Sequence, residues 1–305
     1  MAPTCSGCSI AAIRLINGLF RASLSFPVRQ YCCESDHYYS KKSLKYWNDF
    51  YKRHQNKFFK DRHYLEKDWG RHFSNEDGDG DGKGKVVLEV GCGAGNSIFP
   101  LVAAFPRLIV HACDFSPQAV ALVKSHENFD AERIHVFVCD AAKDDLSSEI
   151  TSSTVDVVTL IFMLSAVSPN KMPSILQNCK KVLKPNGHIL FRDYALGDSA
   201  QVRHNIDSSS EHYYGPNWVK KPFCCSISCA KKVKLHERNQ MISQNFYFRG
   251  DGTCSFYFSK EFLSTLFVQA GFDVVDINTY CMEIENRYRN ITMPRRWLRA
   301  VFRKS

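Results

Sequence analysis

The stretch LEVGCGAGN at residues 88–96 constrains this chain more than any other. A short apolar run, VVLEV, ends on three glycines spaced two apart, and a helical pattern begins at Ser97. Gly91 lets the chain turn sharply, while Gly93 and Gly95 remove Cβ atoms where a ligand has to approach the backbone. A dinucleotide-binding fingerprint puts its last glycine three residues after the second, and that place is taken by Asn96. The loop therefore suits a nucleoside carrying an amino-acid tail better than a pyrophosphate. Glu89, a charge inside an apolar strand, suits a group that organises the loop or meets a cationic tail.

Strands and helices alternate from there. LIVHAC (108–113), IHVFVC (134–139), VDVVTLIFML (155–164) and HILFRDY (188–194) read as buried strands. Helices are expected near Ser97–Phe105, Pro117–His126 and Asn170–Leu183, with a turn at KPNG (184–187). This order predicts an α/β fold, a Rossmann-like, doubly wound and mostly parallel sheet. NFYFRGDGTCSFYF (245–258) is a C-terminal antiparallel hairpin about Gly250-Asp251-Gly252. A helix at Lys260–Ala270 and strands at Phe272–Ile277 and around Trp297–Phe302 follow it.

Acids end the second and third strands. Asp114, 23 residues past Gly91, can accept from both hydroxyls of a ribose, although Ser116-Pro117 after it also allows a helix cap. Asp140 can accept from an adenine amino group. The glycine loop followed by these two acids in order fits S-adenosylmethionine as cofactor.

The flanks differ from this centre. The net charge is +9, with ten Lys/Arg against four Asp/Glu from Lys41 to Arg71 and seven against two from Glu283 to Lys304. Between Lys85 and Asp198 the count is ten against twelve. A near-neutral centre between basic flanks fits a catalytic core held beside a polyanion. Lys57, Lys60, Arg62, Arg249, Arg295 and Arg296 are the candidate RNA contacts. Residues 1–40 read as a flexible tail or an organellar transit peptide, since the first 33 carry arginines and serines but no acid. A mitochondrial or other organellar location follows from the second reading and a cytoplasmic one from the first. Residues 41–74 form a basic, aromatic helical extension, 75–85 a linker, and 86–303 the doubly wound domain. Residues 204–234 lack either hydrophobic period and read as a disordered or weakly ordered insertion.

No apolar run of 18 residues exists, so no membrane span is expected. Three of the 13 cysteines, Cys92, Cys113 and Cys139, fall in or beside expected core strands, which argues for reduced thiols. Cys5 and Cys8, and the group Cys224, Cys225 and Cys229, lack a second pair at zinc spacing, so no metal is expected.

YWNDFYKRHQNKFFKDRHYL, LEVGCGAGN, ACDFSPQAV, VFVCDAAKDDL, VDVVTLIFMLSAVSPNKM, KVLKPNGHILFRDYALGD, NFYFRGDGTCSFYFS and PRRWL closely resemble the tRNA 3-methylcytidine methyltransferases, from about residue 44 to 303. The resemblance implies that Trp47, Tyr51, Gly91, Asp114, Asp140, Ala141 and Ile161 line the cofactor. It implies a cytidine of the tRNA anticodon loop, usually position 32, as substrate, and seryl-tRNA synthetase beside some members. A monomer is expected. The insertion at 204–234 departs from the family pattern close to where the base should enter.

N3 of cytosine is largely unprotonated at neutral pH and needs no strong base, so positioning should dominate the rate. The ring becomes cationic as the methyl transfers, and a carboxylate stabilises that charge more than the neutral ground state. Asp193, Arg192 and Tyr194, at the end of the fifth strand, are the candidate catalytic residues; Asp193 is the carboxylate, with a structural ion pair to Arg192 or another arginine as its alternative. Tyr194, Phe246 or Tyr247 could stack on a flipped base. A small-molecule or protein methyltransferase, or a catalytically impaired RNA- or cofactor-binding isoform, remain competing readings.

Overall fold

The computed structural model describes residues 34–74, 84–202, 240–286 and 291–305. Helices α1 (Glu34–His54) and α2 (Tyr64–Phe73) precede the core. The core runs β1 (Val86–Val90), α3 (Ile98–Ala104), β2 (Ile109–Asp114), α4 (Pro117–Lys124), β3 (Ile134–Val138), β4 (Val155–Ile161), α5 (Met172–Val182) and β5 (Leu183–Tyr194). After it come β6 (Gln240–Ser243), β7 (Phe246–Phe248), β8 (Cys254–Phe256), α6 (Lys260–Gln269), β9 (Phe272–Asn286) and β10 (Ile291–Lys304).

Seven strands form one sheet in the order β3-β2-β1-β4-β5-β10-β9. The first five are parallel, and β10 pairs antiparallel with both β5 and β9. The expected doubly wound sheet is present. Strand alternation sends neighbouring side chains to opposite faces. Leu88, Val158, Leu160, Ile189 and Phe191 enter one core with α5 and α6. Val87, Val157, Ile161 and Leu190 enter the other, where Leu65, Trp69 and Phe73 of α2 cover them. Those three α2 residues, four apart, make one helical stripe, and burying each is worth about 1.5–3 kcal/mol.

The flanks depart from expectation in three places. Helix α1 starts at Glu34, seven residues inside the expected tail. Tyr39 is buried there and stacks on Phe248 of β7 at 4.3 Å, so a contact distant in sequence extends the helix. The hairpin at 245–258 is present as β7 and β8, with β6 added as a third antiparallel strand. Strands β9 and β10 are far longer than the apolar runs that announced them. From Asn286↔Ile291 to Cys281↔Arg296 they pair with each other beyond the reach of β5, as a ribbon needing no buried face. The expected turn at KPNG survives as a positive φ of 60° at Asn186, within β5. Residues 1–33, most of the linker and the insertion at 204–234 lie outside the described residues, as do Cys5, Cys8, Cys224, Cys225 and Cys229. No described helix is long and apolar enough to cross a membrane.

One polar network fastens the basic extension to the sheet. Arg192 of β5 and Arg299 of β10 stand directly opposite each other. Like charges so placed repel. Asp68 of α2 bridges them, accepting from Arg299 Nη1 at 2.8 Å and Arg192 Nη1 at 2.9 Å. The Arg192 guanidinium lies 4.0 Å from the Tyr64 ring centroid and 5.5 Å from that of Trp297.

Candidate active site

The strand order reverses between β1 and β4, and a crevice outside their carboxyl ends is where such sheets take ligands. The glycine loop forms its floor. Gly91, Gly93 and Gly95 all have positive φ, of 74°, 56° and 88°. At Gly93 an added Cβ would stand 2.8 Å from Tyr51 Oη, so only glycine lets the loop pass under that ring. Asp114, at the end of β2, accepts from Gly93 N at 3.0 Å and Ser116 N at 2.9 Å. The cap of α4 is Ser116, whose side chain accepts from Ala119 N. Asp114 is therefore not the cap; it joins two loops and keeps lone pairs for a ligand. Burial raises its carboxyl to about 6 despite the two backbone donors.

Glu89 is buried at the end of β1, where desolvation raises its carboxyl to about 7 against the opposing pull of Arg62 and Ser97. Its Oε2 has no hydrogen-bond partner. A buried, unsatisfied carboxylate oxygen calls for a donor. The α-ammonium of S-adenosylmethionine is one, and Asp114 at the neighbouring strand end suits its ribose. Trp47 stacks at 5.6 Å on Tyr51, the ring that overhangs Gly93, and Ile161 is buried at the end of β4. Asp140 and Ala141 follow β3, two strands away from β1. Asp140 accepts from Ala142 N at 3.2 Å and pairs with Lys143 at 2.7 Å.

Replacing Asp114 with Ala is expected to weaken S-adenosylmethionine binding by about 1–3 kcal/mol, the cost of stranding buried donors. Calorimetry on the folded variant checks this, and unchanged affinity would remove Asp114 from the cofactor's contacts.

Asp193 is fully buried at the end of β5, accepting from Ser165 N and Tyr194 N, each at 2.9 Å. Burial raises its carboxyl to about 7, with Ser165, Tyr194 and the Arg62 charge pulling the other way. Arg192 does not share this site. As the preceding strand residue it faces the other side of the sheet, where it pairs with Asp68, so Arg192 is not part of the expected catalytic group and the alternative of an Asp193–Arg192 ion pair does not hold either. Tyr194 is half-buried, its ring 5.1 Å from Phe162 and 5.8 Å from Tyr257. Phe246 and Tyr247, expected as possible stacking partners, are buried in the small sheet.

The candidate RNA contacts separate into two groups. Lys57, Lys60 and Arg296 are exposed. Arg62 turns inward instead, its Nη1 donating to Ile161 O at 3.0 Å and Ser97 Oγ at 3.3 Å. Arg249 is held beside Tyr194 and Asp251, and Arg295 is paired with Asp198 at 2.8 Å. The segment carrying Arg62 is stitched to the glycine loop. Arg62 N donates to Asn96 O at 2.8 Å, and Asn96 Nδ2 donates to Phe59 O and Asp61 Oδ1, both at 3.1 Å. Nothing in the residue pattern announces that Arg62 turns inward to Ile161 and Ser97 and bears on the charges of Glu89 and Asp193. That needs the extension to fold back over the loop.

Comparison with known proteins places this arrangement. Residues 88–189 match the family described as Methyltransferase domain. The chain is 40% identical over 265 residues to the rat tRNA N(3)-cytidine methyltransferase METTL6, covering 87% of this chain and 80% of that protein. It is 35% identical over 266 residues to the fission-yeast (Schizosaccharomyces pombe) tRNA N(3)-methylcytidine methyltransferase trm141, covering 87% and 94%. The fold is similar to the crystal structure of an S-adenosylmethionine-dependent methyltransferase from Anabaena variabilis, with TM-score 0.50 and 15% identity over 88% of this chain and 93% of that one.

Proposed function

The chain belongs to the tRNA N(3)-cytidine methyltransferase family, transferring a methyl group from S-adenosylmethionine to N3 of a tRNA cytidine, and we propose that this cytidine lies in the anticodon loop, at position 32. The observation that carries the reading is the full burial of Asp193 at the carboxyl end of β5, the strand next to β4 on the side where the cofactor crevice opens. In a base pair N3 of cytosine is hidden, so a target reaching that depth has to be unpaired or flipped out. A loop nucleotide meets the requirement at the lowest cost.

S-adenosylmethionine supplies an electrophilic methyl on a sulfonium. The chain's residues do the rest by holding and by charge. Glu89 receives the cationic tail and Asp114 the ribose. Asp193 needs to take no proton from N3, whose lone pair is free at neutral pH. Its carboxylate faces the charge that the cytosine ring acquires, and a fixed carboxylate in a water-poor site stabilises that charge most where it is fully formed. Its hydrogen bonds from Ser165 N and Tyr194 N fix the carboxylate before substrate arrives. The position is tested by offering one tRNA with cytidine at 32 and its counterpart with uridine there. Methylation of both equally would move the target elsewhere.

The exposed lysines of the extension supply the grip on RNA in this reading. Lys60 rims a cleft of about 290 Å³ between Asn56–Asp61 and the glycine loop. Neutralising Lys57 and Lys60 together is expected to weaken tRNA binding and to flatten the slope of log affinity against log salt by about two contacts, with cofactor affinity unchanged. An unaltered slope would mean that this stretch touches no phosphate. A seryl-tRNA synthetase is the proposed accessory partner, and its addition should raise the methylation rate of serine tRNAs.

A further inference from the structure

We propose that Phe162 is the platform on which the target cytosine lies, and that its π face favours the base as it becomes cationic. The proposal rests on the tRNA-cytidine reading and goes beyond it. Phe162 follows the last residue of β4 and has φ of 55°. The left-handed region is an outlier for a bulky side chain, and such outliers cluster where function holds them. The other described non-glycine residues with positive φ are Gln55, Ser153, Asn186 and Asn245, all polar. Phe162 instead stands at the carboxyl end of a buried parallel strand, where the ligand crevice opens.

The conformation is held from both sides. Phe162 N donates to Arg192 O at 2.8 Å, and the preceding carbonyl, Ile161 O, accepts from Arg62. The next side chain, Met163, lies on Gly91, so close that a Cβ there would meet it at 2.2 Å. The half-buried ring is thereby directed toward Tyr194, at 5.1 Å and an interplanar angle of 52°. The guanidinium carbon of Arg62 lies 5.3 Å from its centroid. The ring therefore already faces a cation, at the carboxyl end of β4 where the crevice opens.

Methylation at N3 turns cytosine from a neutral ring into a cation. An aromatic face attracts the cationic ring more than the neutral one, so stacking there stabilises the transition state over the ground state. Arg62 is anchored at Ile161 O, and Asp193 serves as counter-ion to the base.

The test replaces Phe162 with Leu, Tyr and a series of ring-fluorinated phenylalanines, and measures kcat, tRNA KM, cofactor affinity by calorimetry and Tm. Phe162→Leu should lower kcat about tenfold, with cofactor affinity unchanged, and Phe162→Tyr should retain activity. Along the fluorinated series, which keeps the ring's shape and so stays informative if the leucine variant fails to fold, kcat should fall with each added fluorine while Tm stays level. A rate independent of fluorination, or a leucine variant with full kcat, overturns the proposal. Wild-type protein that makes no 3-methylcytidine would overturn the functional reading as well; an active wild type with a flat fluorine series overturns the platform alone.

Discussion

Asp193→Asn is expected to lower kcat for tRNA methylation by about two to three orders of magnitude, the loss typical of removing a fixed electrostatic partner, while S-adenosylmethionine still binds. The asparagine keeps the shape, loses the charge and can accept only one of the two backbone hydrogen bonds, from Ser165 N or Tyr194 N. Because burial raises the Asp193 carboxyl to about 7, wild-type activity at saturating cofactor should climb as pH rises through about 7. The variant should show no such climb. Saturation with cofactor matters because Glu89 also titrates at about 7 and Asp114 at about 6. Stability moves the opposite way. A carboxyl raised above its unfolded value binds its proton more tightly when folded, so the native state loses stability as pH rises from the unfolded value through about 7. The change in Tm caused by Asp193→Asn should therefore be more favourable at pH 8 than at pH 5. A variant with normal kcat would leave Asp193 a structural residue.

Asp68→Ala is expected to cost about 3–5 kcal/mol of stability. It removes the one carboxylate bridging Arg192 and Arg299, which face each other across β5 and β10. Arg192 is buried, so its charge would be left uncompensated. The loss is a large fraction of an ordinary domain's stability. Urea unfolding at fixed pH measures it, and a loss under about 1 kcal/mol would mean that water replaces the carboxylate. In the folded fraction the extension should open first, because Asp68 lies on α2, which covers one face of the sheet.

The sheet was legible in the sequence because each of its parallel strands is a buried apolar run, and the glycine loop because its backbone geometry admits few other residues. The lengths of β9 and β10 were not legible. Their outer halves pair only with each other and form no continuous apolar run, since Glu283 and Glu285 interrupt Met282 and Ile284. Arg192 and Asp193 were read as one site although strand alternation separates them, and only the third partner, Asp68, reveals where Arg192 belongs. Arg62 read as one more positive charge in a basic stretch. Its inward turn to Ile161 O and Ser97 goes with the bonds that tie Phe59–Arg62 to Asn96, a contact across more than thirty residues. The strain at Phe162 has no sequence signature, since a phenylalanine ending an apolar strand reads as core.

The most direct test of the account is incubation of the purified full chain with S-adenosylmethionine and tRNA, followed by digestion and mass analysis of the nucleosides. The account predicts 3-methylcytidine from wild-type protein and its loss with Asp193→Asn, at unchanged cofactor binding. A methylated nucleoside other than 3-methylcytidine, or transfer to protein or small molecules but not to tRNA, would contradict it.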